Sequence, residues 1–394
     1  MIYRVVNEDR MQQVRDLWDY CFEKKDDPFF QYYFEEYCGK NNMVIGAFEK
    51  VGDWERLRSM VHINPYMLRL RGREELTPYL VGVATAPEAR GQHAFGPLLQ
   101  TTFEVLRSQS FSFVTLMPVF AGIYLPYEFS YCYYRHAYQM PLTALSFTMG
   151  DDGLQVEREP LRQEILASLY ARLTAAWNGV PVRTDFQWNK LLTVHGLEQV
   201  QCAVVYRQQQ AVGYMLYKVA EERFTIIELL AENFAVRKRL LGYAAMHQSS
   251  AKELYWLAEA WDKTYLGFKD QALTGSVQPF MMARCIDART ALAKLAAPQD
   301  LPEDSVVLLL TDKLIDRNNH LLKLKTAPGS LEAVSTLDAE EVTMDMGAFT
   351  QLYMGAFSAA ELWEAGRLKA AAPEKLALLD KLFPKCRTYN NEYF

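Results

Sequence analysis

The sequence predicts a chain of the α+β / α/β class: two successive units of mixed sheet with flanking helices, followed by an α+β C-terminal domain. Three observations lead there. Leu80 to Met117 reads as strand, tight loop, amphipathic helix, strand. Cys202 to Gln248 repeats an order of strand, strand, strand, helix. From Phe280 the pattern changes to a helix, a meander of short strands and closing helices. A length of 394 residues also exceeds what one core usually serves. The expected divisions are 1–150, 151–284 and 285–394.

Each element has its own sequence signal. Ile2 to Val6 reads as a first strand, and Asn7-Glu8-Asp9 as the cap of a helix carrying Met11, Val14, Leu17, Trp18 and Cys21. Asp26-Asp27-Pro28 interrupts it, and a short helix rich in rings follows: Phe29, Phe30, Tyr32, Tyr33, Phe34 and Tyr37. Core packing needs about half of these rings, leaving others to line a pocket. Met43 to Phe48 and Leu57 to Leu70 alternate like hairpin strands around Gly52-Asp53. Leu80 to Ala86 is the next strand. A helix begins near His93, with Leu98, Leu99, Phe103 and Leu106 on one face, and Ser110 to Met117 is the strand after it. Gly150-Asp151-Asp152-Gly153 is the best linker signal. Beyond it come a helix over Leu161 to Trp177, strands at Cys202–Tyr206, Val212–Lys218 and Phe224–Ala231, and a helix over Phe234 to Gln248. The C-terminal part reads as a helix from Asp287, strands at Ser305–Thr311, Asn319–Lys325 and Ala333–Leu337, and closing helices from Met346, Ala359 and Pro373.

Composition narrows the partners. A net charge of -6 argues against general nucleic-acid or anionic-membrane binding and is compatible with a cationic substrate. The six cysteines lie far apart, as do the six histidines, so no metal site is expected and the thiols fit a reducing cytoplasm. The N-terminus lacks the apolar core of a signal peptide, and no apolar run approaches the ~20 residues that span a bilayer.

The loop between strand and helix carries the chemistry. Pro87, Glu88, Arg90, Leu98 and Leu99 fall in register with the acyl-CoA loop of the GNAT acetyltransferases, which it resembles: Arg/Gln-x-x-Gly-x-Gly/Ala after Pro-Glu and before a Leu pair. His93 and Phe95 stand where that family usually has glycines. A loop at a helix N-terminus presents unpaired N–H groups and the positive end of the helix dipole, which suits a pyrophosphate. Further on, Ile123-Tyr124 and Phe129 match the family's Phe-Tyr-x-x-x-Gly-Phe segment, with Glu128 in place of the glycine. The Tyr of that segment commonly protonates the departing CoA thiolate. A phenol of pKa about 10 stays protonated at neutral pH and donates to a thiolate of pKa about 8.5. In the second unit the loop is Ala231-Glu232-Asn233-Phe234-Ala235, with no glycine and a carboxylate at its mouth, so that unit is expected not to bind CoA.

A tandem pair of GNAT folds followed by such a C-terminal domain resembles the Eis (enhanced intracellular survival) acetyltransferases, whose last domain is similar to sterol carrier protein folds. Ala121-Gly122-Ile123-Tyr124, Met344-Asp345, Leu352-Tyr353-Met354-Gly355-Ala356 and Asn390-Asn391-Glu392-Tyr393-Phe394 carry the resemblance. It implies acetyl-CoA as co-substrate, held by Val83, Ala84 and Thr85 on a splayed strand, by Arg90, Gly91, Gln92, His93, Ala94, Phe95 and Gly96 at the helix start, and by Val119 and Phe120 after the next strand. It implies Tyr124 as general acid and the terminal carboxylate of Phe394 as general base. Acceptors in that family are amines, aminoglycosides among them. Asp26, Asp27, Phe30, Tyr33, Phe34 and Glu392 are the candidates for holding a polycation. The family is often hexameric. A rival reading takes His93, Phe95 and Glu128 as marks of a catalytically degenerate fold that binds an apolar ligand or a protein. A third, aminoacyl or peptidyl transfer in cell-wall synthesis, requires an RNA-binding basic face that the charge balance does not suggest.

Overall fold

The computed structural model describes residues 1–147, 153–271 and 275–393. Most of the expected linker, Gly150-Asp151-Asp152, and the terminal Phe394 lie outside them. Contacts divide the chain into two compact units. One joins Met1–Cys132 with Phe280–Phe394, and the other is Tyr133–Pro279.

The first unit opens with β1 (Ile2–Val5) and α1 (Met11–Cys21). Asn7 does not cap α1 as expected. A 3-10 turn over Glu8–Arg10 intervenes, and the Asn7 side chain makes no capping bond. Val14, Leu17 and Trp18 form the buried stripe of α1. Asp27 caps α2 (Pro28–Tyr32), accepting from the Phe29 N–H at 2.7 Å, with Pro28 supplying the preset first turn. The helix runs on as a π-helical turn over Tyr33–Tyr37. β2 (Met43–Val51) and β3 (Trp54–Leu70) make the expected hairpin. β4 (Arg73–Thr85) begins well before Leu80, because Arg73 to Tyr79 pair step by step with the far half of β3. α3 (Phe95–Ser108) and β5 (Phe113–Leu116) follow. β1 to β4 are antiparallel neighbours, and β5 lies parallel to β4. Alternation along the strands makes two cores. Ile45, Val61, Ile63 and Leu80 pack under Leu98, Leu99, Phe103 and Leu106 of α3. Val44, Phe48, Met60 and Ala84 pack against Trp18 and the rings of α2 and its π-turn.

The second unit contains most of β6 (Ser130–Pro141), then β7 (Leu154–Glu159), α4 (Gln163–Leu173), the short β8 (Val180–Pro181) and α5 (Asp185–Leu197). It continues with β9 (Gln201–Arg207), β10 (Gln210–Ala220), β11 (Arg223–Ala231), α6 (Phe234–Ala245) and β12 (Glu253–Glu259). Its strands run β7-β9-β10-β11-β12-β6, with only β11 and β12 parallel among these neighbours. α5 was invisible to periodicity, since it buries Lys190 and His195 beside Leu191 and Val194. Its Thr184–Gln187 capping box is the signal that marks its start.

β13 (Ser276–Cys285) brings the chain back. Met282 to Cys285 pair antiparallel with Leu116 to Phe113 of β5. After α7 (Ala288–Lys294) come β14 (Asp304–Thr311), β15 (His320–Ala327), β16 (Ser330–Ser335) and β17 (Val342–Asp345). α8 (Met346–Met354), α9 (Ala359–Glu364), β18 (Leu368–Ala370) and α10 (Pro373–Leu382) complete it. The five strands order as β16-β15-β14-β17-β18. Among the described residues no helix is long and apolar enough to cross a membrane.

Candidate active site

The site begins where β4 and β5 part. Their pairing holds at Tyr79–Thr115 and Leu80–Leu116, and then β4 runs on to Thr85 while the chain after Leu116 turns away. A β-bulge falls at this point. The β3–β4 ladder steps from His62–Val81 to Met60–Ala84, leaving Gly82 and Val83 facing Val61 alone. Gly82 takes φ +55, and a Cβ there would lie 2.3 Å from the Trp18 ring, so only glycine fits. Past the bulge the strand is held from both sides. Ser59 Oγ donates to the Ala84 carbonyl at 2.8 Å, and Arg90 Nε donates to the Thr85 carbonyl at 3.1 Å. Arg90 therefore braces the loop from its own strand.

A 3-10 turn over Pro87–Ala89 carries the chain to α3. Arg58 anchors it by pairing with Glu88 at 2.6 Å. Gly91 and His93 both adopt left-handed backbone, φ +76 and +55. His93 thus takes the conformation that a glycine favours, with its side chain exposed. Ala94 is buried and begins α3, whose first turn has neither a capping side chain nor an acidic residue. Unpaired N–H groups, the positive helix end and the close turn at Gly91 fit an anion such as a diphosphate. Gly96 lets the Tyr127 hydroxyl come close, a Cβ there lying 3.1 Å from it.

Tyr124 stands beside this loop, held between rings. Phe95 meets it edge-on at 5.8 Å, and Phe129 does so at 5.8 Å from the other side. Phe95, where the family pattern has glycine, serves as a wall of the tyrosine's socket. Tyr124 is only 7% exposed, and burial pushes its phenol up to about 12. Val119 and Phe120 are exposed on the loop before it, at 97% and 67%. Glu128 sits at φ +59, again a glycine-like conformation at a position where the pattern has glycine.

The C-terminal segment enters the same unit. Thr388 Oγ1 donates to the Cys132 carbonyl at 2.9 Å, and Tyr389, Asn390, Asn391 and Glu392 are all buried. The Tyr393 ring packs edge-on against Phe280 at 5.6 Å. Tyr79 is raised by burial first and then by the charges of Glu392, Tyr393 and Tyr124. Tyr37 is raised chiefly by burial and also feels Glu392. Glu392 and Tyr124 thus both act electrostatically on Tyr79. Tyr37 and Tyr79 belong to no motif. Only their place on the aromatic turn and on β4 brings them in.

The acceptor candidates divide. Phe30, Tyr33 and Phe34 are buried core with Trp18, so the rings reserved for a pocket are packed. Tyr33 Oη meets His62 Nδ1 at 2.9 Å and accepts from Asn42 Nδ2 at 3.0 Å. Asp27 is occupied as a helix cap, and Asp26 is exposed in the turn before it.

The matching place in the second unit is built differently. β11 and β12 pair through Ile226–Trp256, and α6 starts beyond the end of β11. Here Asn233 caps the helix, accepting from Val236 N at 3.1 Å. Arg237 lies in the cleft paired with Glu259 at 2.8 Å and with Asp262. A cavity of about 220 Å³ remains, lined by Asn233, Phe234, Arg237, Trp261 and Asp262 among others. The start of α6 is thus capped by a side chain and Arg237 is shared by two carboxylates, whereas the start of α3 has no capping side chain.

Family models match all three parts of the chain. Acetyltransferase (GNAT) domain models match residues 2–132 and 179–285, and a sterol carrier protein domain model matches residues 288–391. Two GNAT acetyltransferase domains and a sterol carrier protein domain make up this chain. By those domains it is an N-acetyltransferase of the GNAT class, whose members use acetyl-CoA. Solved structures share the fold over the whole chain. One is a conserved protein of unknown function from Enterococcus faecalis V583, a probable N-acyltransferase, at 20% identity and TM-score 0.89, with 100% of both chains covered. Another is a GCN5-related N-acetyltransferase from Anabaena variabilis, at 19% identity and TM-score 0.84, again with 100% of both covered. Eis1 from Mycobacterium abscessus has 15% identity and TM-score 0.78 over 100% of both. No curated protein matches the chain by sequence.

Proposed function

We propose that the first unit transfers an acetyl group from acetyl-CoA to a primary amine, with aminoglycosides or similar polyamines as the acceptor class. The neutral amine attacks the thioester carbonyl carbon directly. The C–S bond breaks, the thiolate takes the phenol proton of Tyr124, and the amine's proton passes to the terminal carboxylate of Phe394. The observation that carries this reading is the buried tail: Tyr389 to Glu392 are buried in the unit that holds Tyr124, and Thr388 Oγ1 donates to the Cys132 carbonyl. Burial raises the Tyr124 phenol, so it is protonated at neutral pH and able to donate to the thiolate. A free α-carboxylate of pKa about 3.5 is a weak base, and burial or a water relay supplies the difference.

The diphosphate falls to Gly91–Gly96 and the uncapped start of α3, and the pantetheine to the backbone of Val83–Thr85. Glu392 faces the acceptor, with Asp26 at the rim. As functional divisions we assign 1–150 to acetyl transfer, 151–284 to a second acetyltransferase fold without the anion loop, and 285–394 to the sterol-carrier-like part that ends in the base. A homo-hexamer in the cytoplasm is the expected form, which light scattering reads. The transferase reading is preferred to the degenerate-binder reading because His93 and Glu128 adopt left-handed backbone of the kind glycine favours, and Phe95 packs against Tyr124.

The test is CoA release from acetyl-CoA with aminoglycosides, polyamines and lysine peptides. More than one thiol released per aminoglycoside supports the reading, and no release with any amine defeats it. Appending one Ala after Phe394 abolishes turnover without unfolding if the terminal carboxylate is the base.

A further inference from the structure

Behind the Tyr124 segment lies a charge cluster that the chemistry above does not use. Arg284 on β13 is fully buried and binds Asp312 with two bonds, Nη2 to the carboxylate oxygens at 2.7 and 2.9 Å. Asp312 also accepts from Asn318 Nδ2 at 2.9 Å and from the N–H groups of Leu314 and Ile315 at 2.9 and 2.8 Å. It is the hub of the loop that leaves β14. Glu128, four residues after Tyr124, reaches into this hub. Its Oε2 lies 3.4 Å from Arg284 Nη1 and accepts from the Lys313 N–H at 3.1 Å. The return path is aromatic. Arg284 stacks over Phe103 at 5.2 Å, Phe103 meets Phe129 at 6.1 Å, and Phe129 meets Tyr124.

A buried arginine facing two carboxylates is costly to assemble and unforgiving of change. Of the three, Glu128 has the left-handed backbone, φ +59, that a glycine adopts without strain. Glu128 therefore does more than turn the chain, because a glycine turns it without placing a carboxylate in the core. Burial and the nearby Asp312 raise the Glu128 carboxyl. Asp312 stays low against its own burial because Arg284 faces it. The two carboxyls are thus pushed in opposite directions by the same buried surroundings, and Arg284 faces both.

We propose that Glu128, Arg284 and Asp312 form a positioning network by which the sterol-carrier-like domain holds the Tyr124 segment in place for catalysis. This rests on the reading of Tyr124 as the acid. Glu128 and Asp312 touch no reacting atom. Their effect passes through the 3-10 turns at Ala121–Ile123 and Leu125–Tyr127 that present the phenol. The domain is thereby part of the transferase machinery.

Three variants test it: Glu128→Gly, which keeps the backbone and deletes the link, Glu128→Gln, which keeps an acceptor for Lys313 N–H, and Tyr124→Phe. Hydrogen exchange by mass spectrometry and steady-state kinetics are measured on each full-length protein. The proposal expects peptides over 119–131 to exchange at least fivefold faster in Glu128→Gly, with peptides of 133–271 unchanged. It also expects kcat to fall about tenfold at unchanged acetyl-CoA KM, and Glu128→Gln to restore kcat to within threefold of wild type. Unchanged exchange over 119–131, or kcat of Glu128→Gly within twofold of wild type, overturns it. Full activity in Tyr124→Phe sinks the acid role alone, and the exchange result then still decides the network.

Discussion

Burial fixes the protonation of two side chains in the first unit, in opposite senses. Tyr124 is raised to about 12, so it stays neutral and able to donate well above neutral pH. Replacing it by Phe should cut turnover by roughly 10²- to 10⁴-fold while isothermal titration shows acetyl-CoA binding intact. The kcat–pH profile should show no loss of this acid below about pH 10. His62 goes the other way. Burial alone drops it to about 3, and its Nε2 is buried with no hydrogen-bond partner among the described residues. A depressed base is neutral when folded, so its contribution is fully present above the unfolded pKa of about 6.5 and is lost as pH falls toward 3. By pH 4.5 the loss is two units, roughly 2.7 kcal/mol. Urea unfolding at pH 7 and 4.5 should show His62→Gln losing less stability between those pH values than wild type does. Equal losses would mean His62 titrates normally.

At the scale of elements, β4 and the start of α3 frame the candidate site, and both depend on left-handed residues. Gly82→Ala forces a Cβ against Trp18 at a positive φ, and should destabilise the protein by roughly 2–4 kcal/mol in denaturant melts. His93→Gly is the converse. It relieves a left-handed side chain, so stability should hold or rise by up to about 1 kcal/mol, and acetyl-CoA KM should fall as the loop mouth opens. A raised KM would show that the His93 side chain helps hold the nucleotide. The strand–loop–helix–strand core was legible because α3 has a clean apolar stripe and the loop an unbroken spacing. The bulge was not legible, since Gly82 reads like any glycine in a strand until Trp18 is seen against it. α5 escaped because charged residues occupy its buried face. Glu128 was visible only as a departure from a pattern, as its partners Arg284 and Asp312 lie more than 150 residues away. Conversely, Phe30, Tyr33 and Phe34 looked available for a pocket because composition cannot tell a packed ring from a lining one.

On the scale of the whole molecule, the unit that holds the cleft is assembled from two distant stretches of sequence. β13 borders β5, Arg71 donates to the carbonyls of Leu352 and Tyr353 at 2.7 and 2.8 Å, and Lys294 bonds Glu75 at 3.0 Å. Deleting everything after Pro384 removes the buried Thr388–Glu392 segment. Calorimetry should then show the transition of the first unit lowered by several degrees, with the second unit's transition unmoved and acetyl transfer abolished. A truncated protein that keeps its activity would remove the tail from the active site.

The late arrival of β13 and the tail has a consequence on the ribosome. While residues 133–279 are being synthesised, β5 waits with an unpaired edge, the kind of surface that sticks to other nascent chains. A chaperone that shields such edges should therefore raise the yield of soluble enzyme. A stalled or clipped translation product that ends before β13 leaves that edge open, so partial chains of this protein should be more prone to aggregate than the full chain.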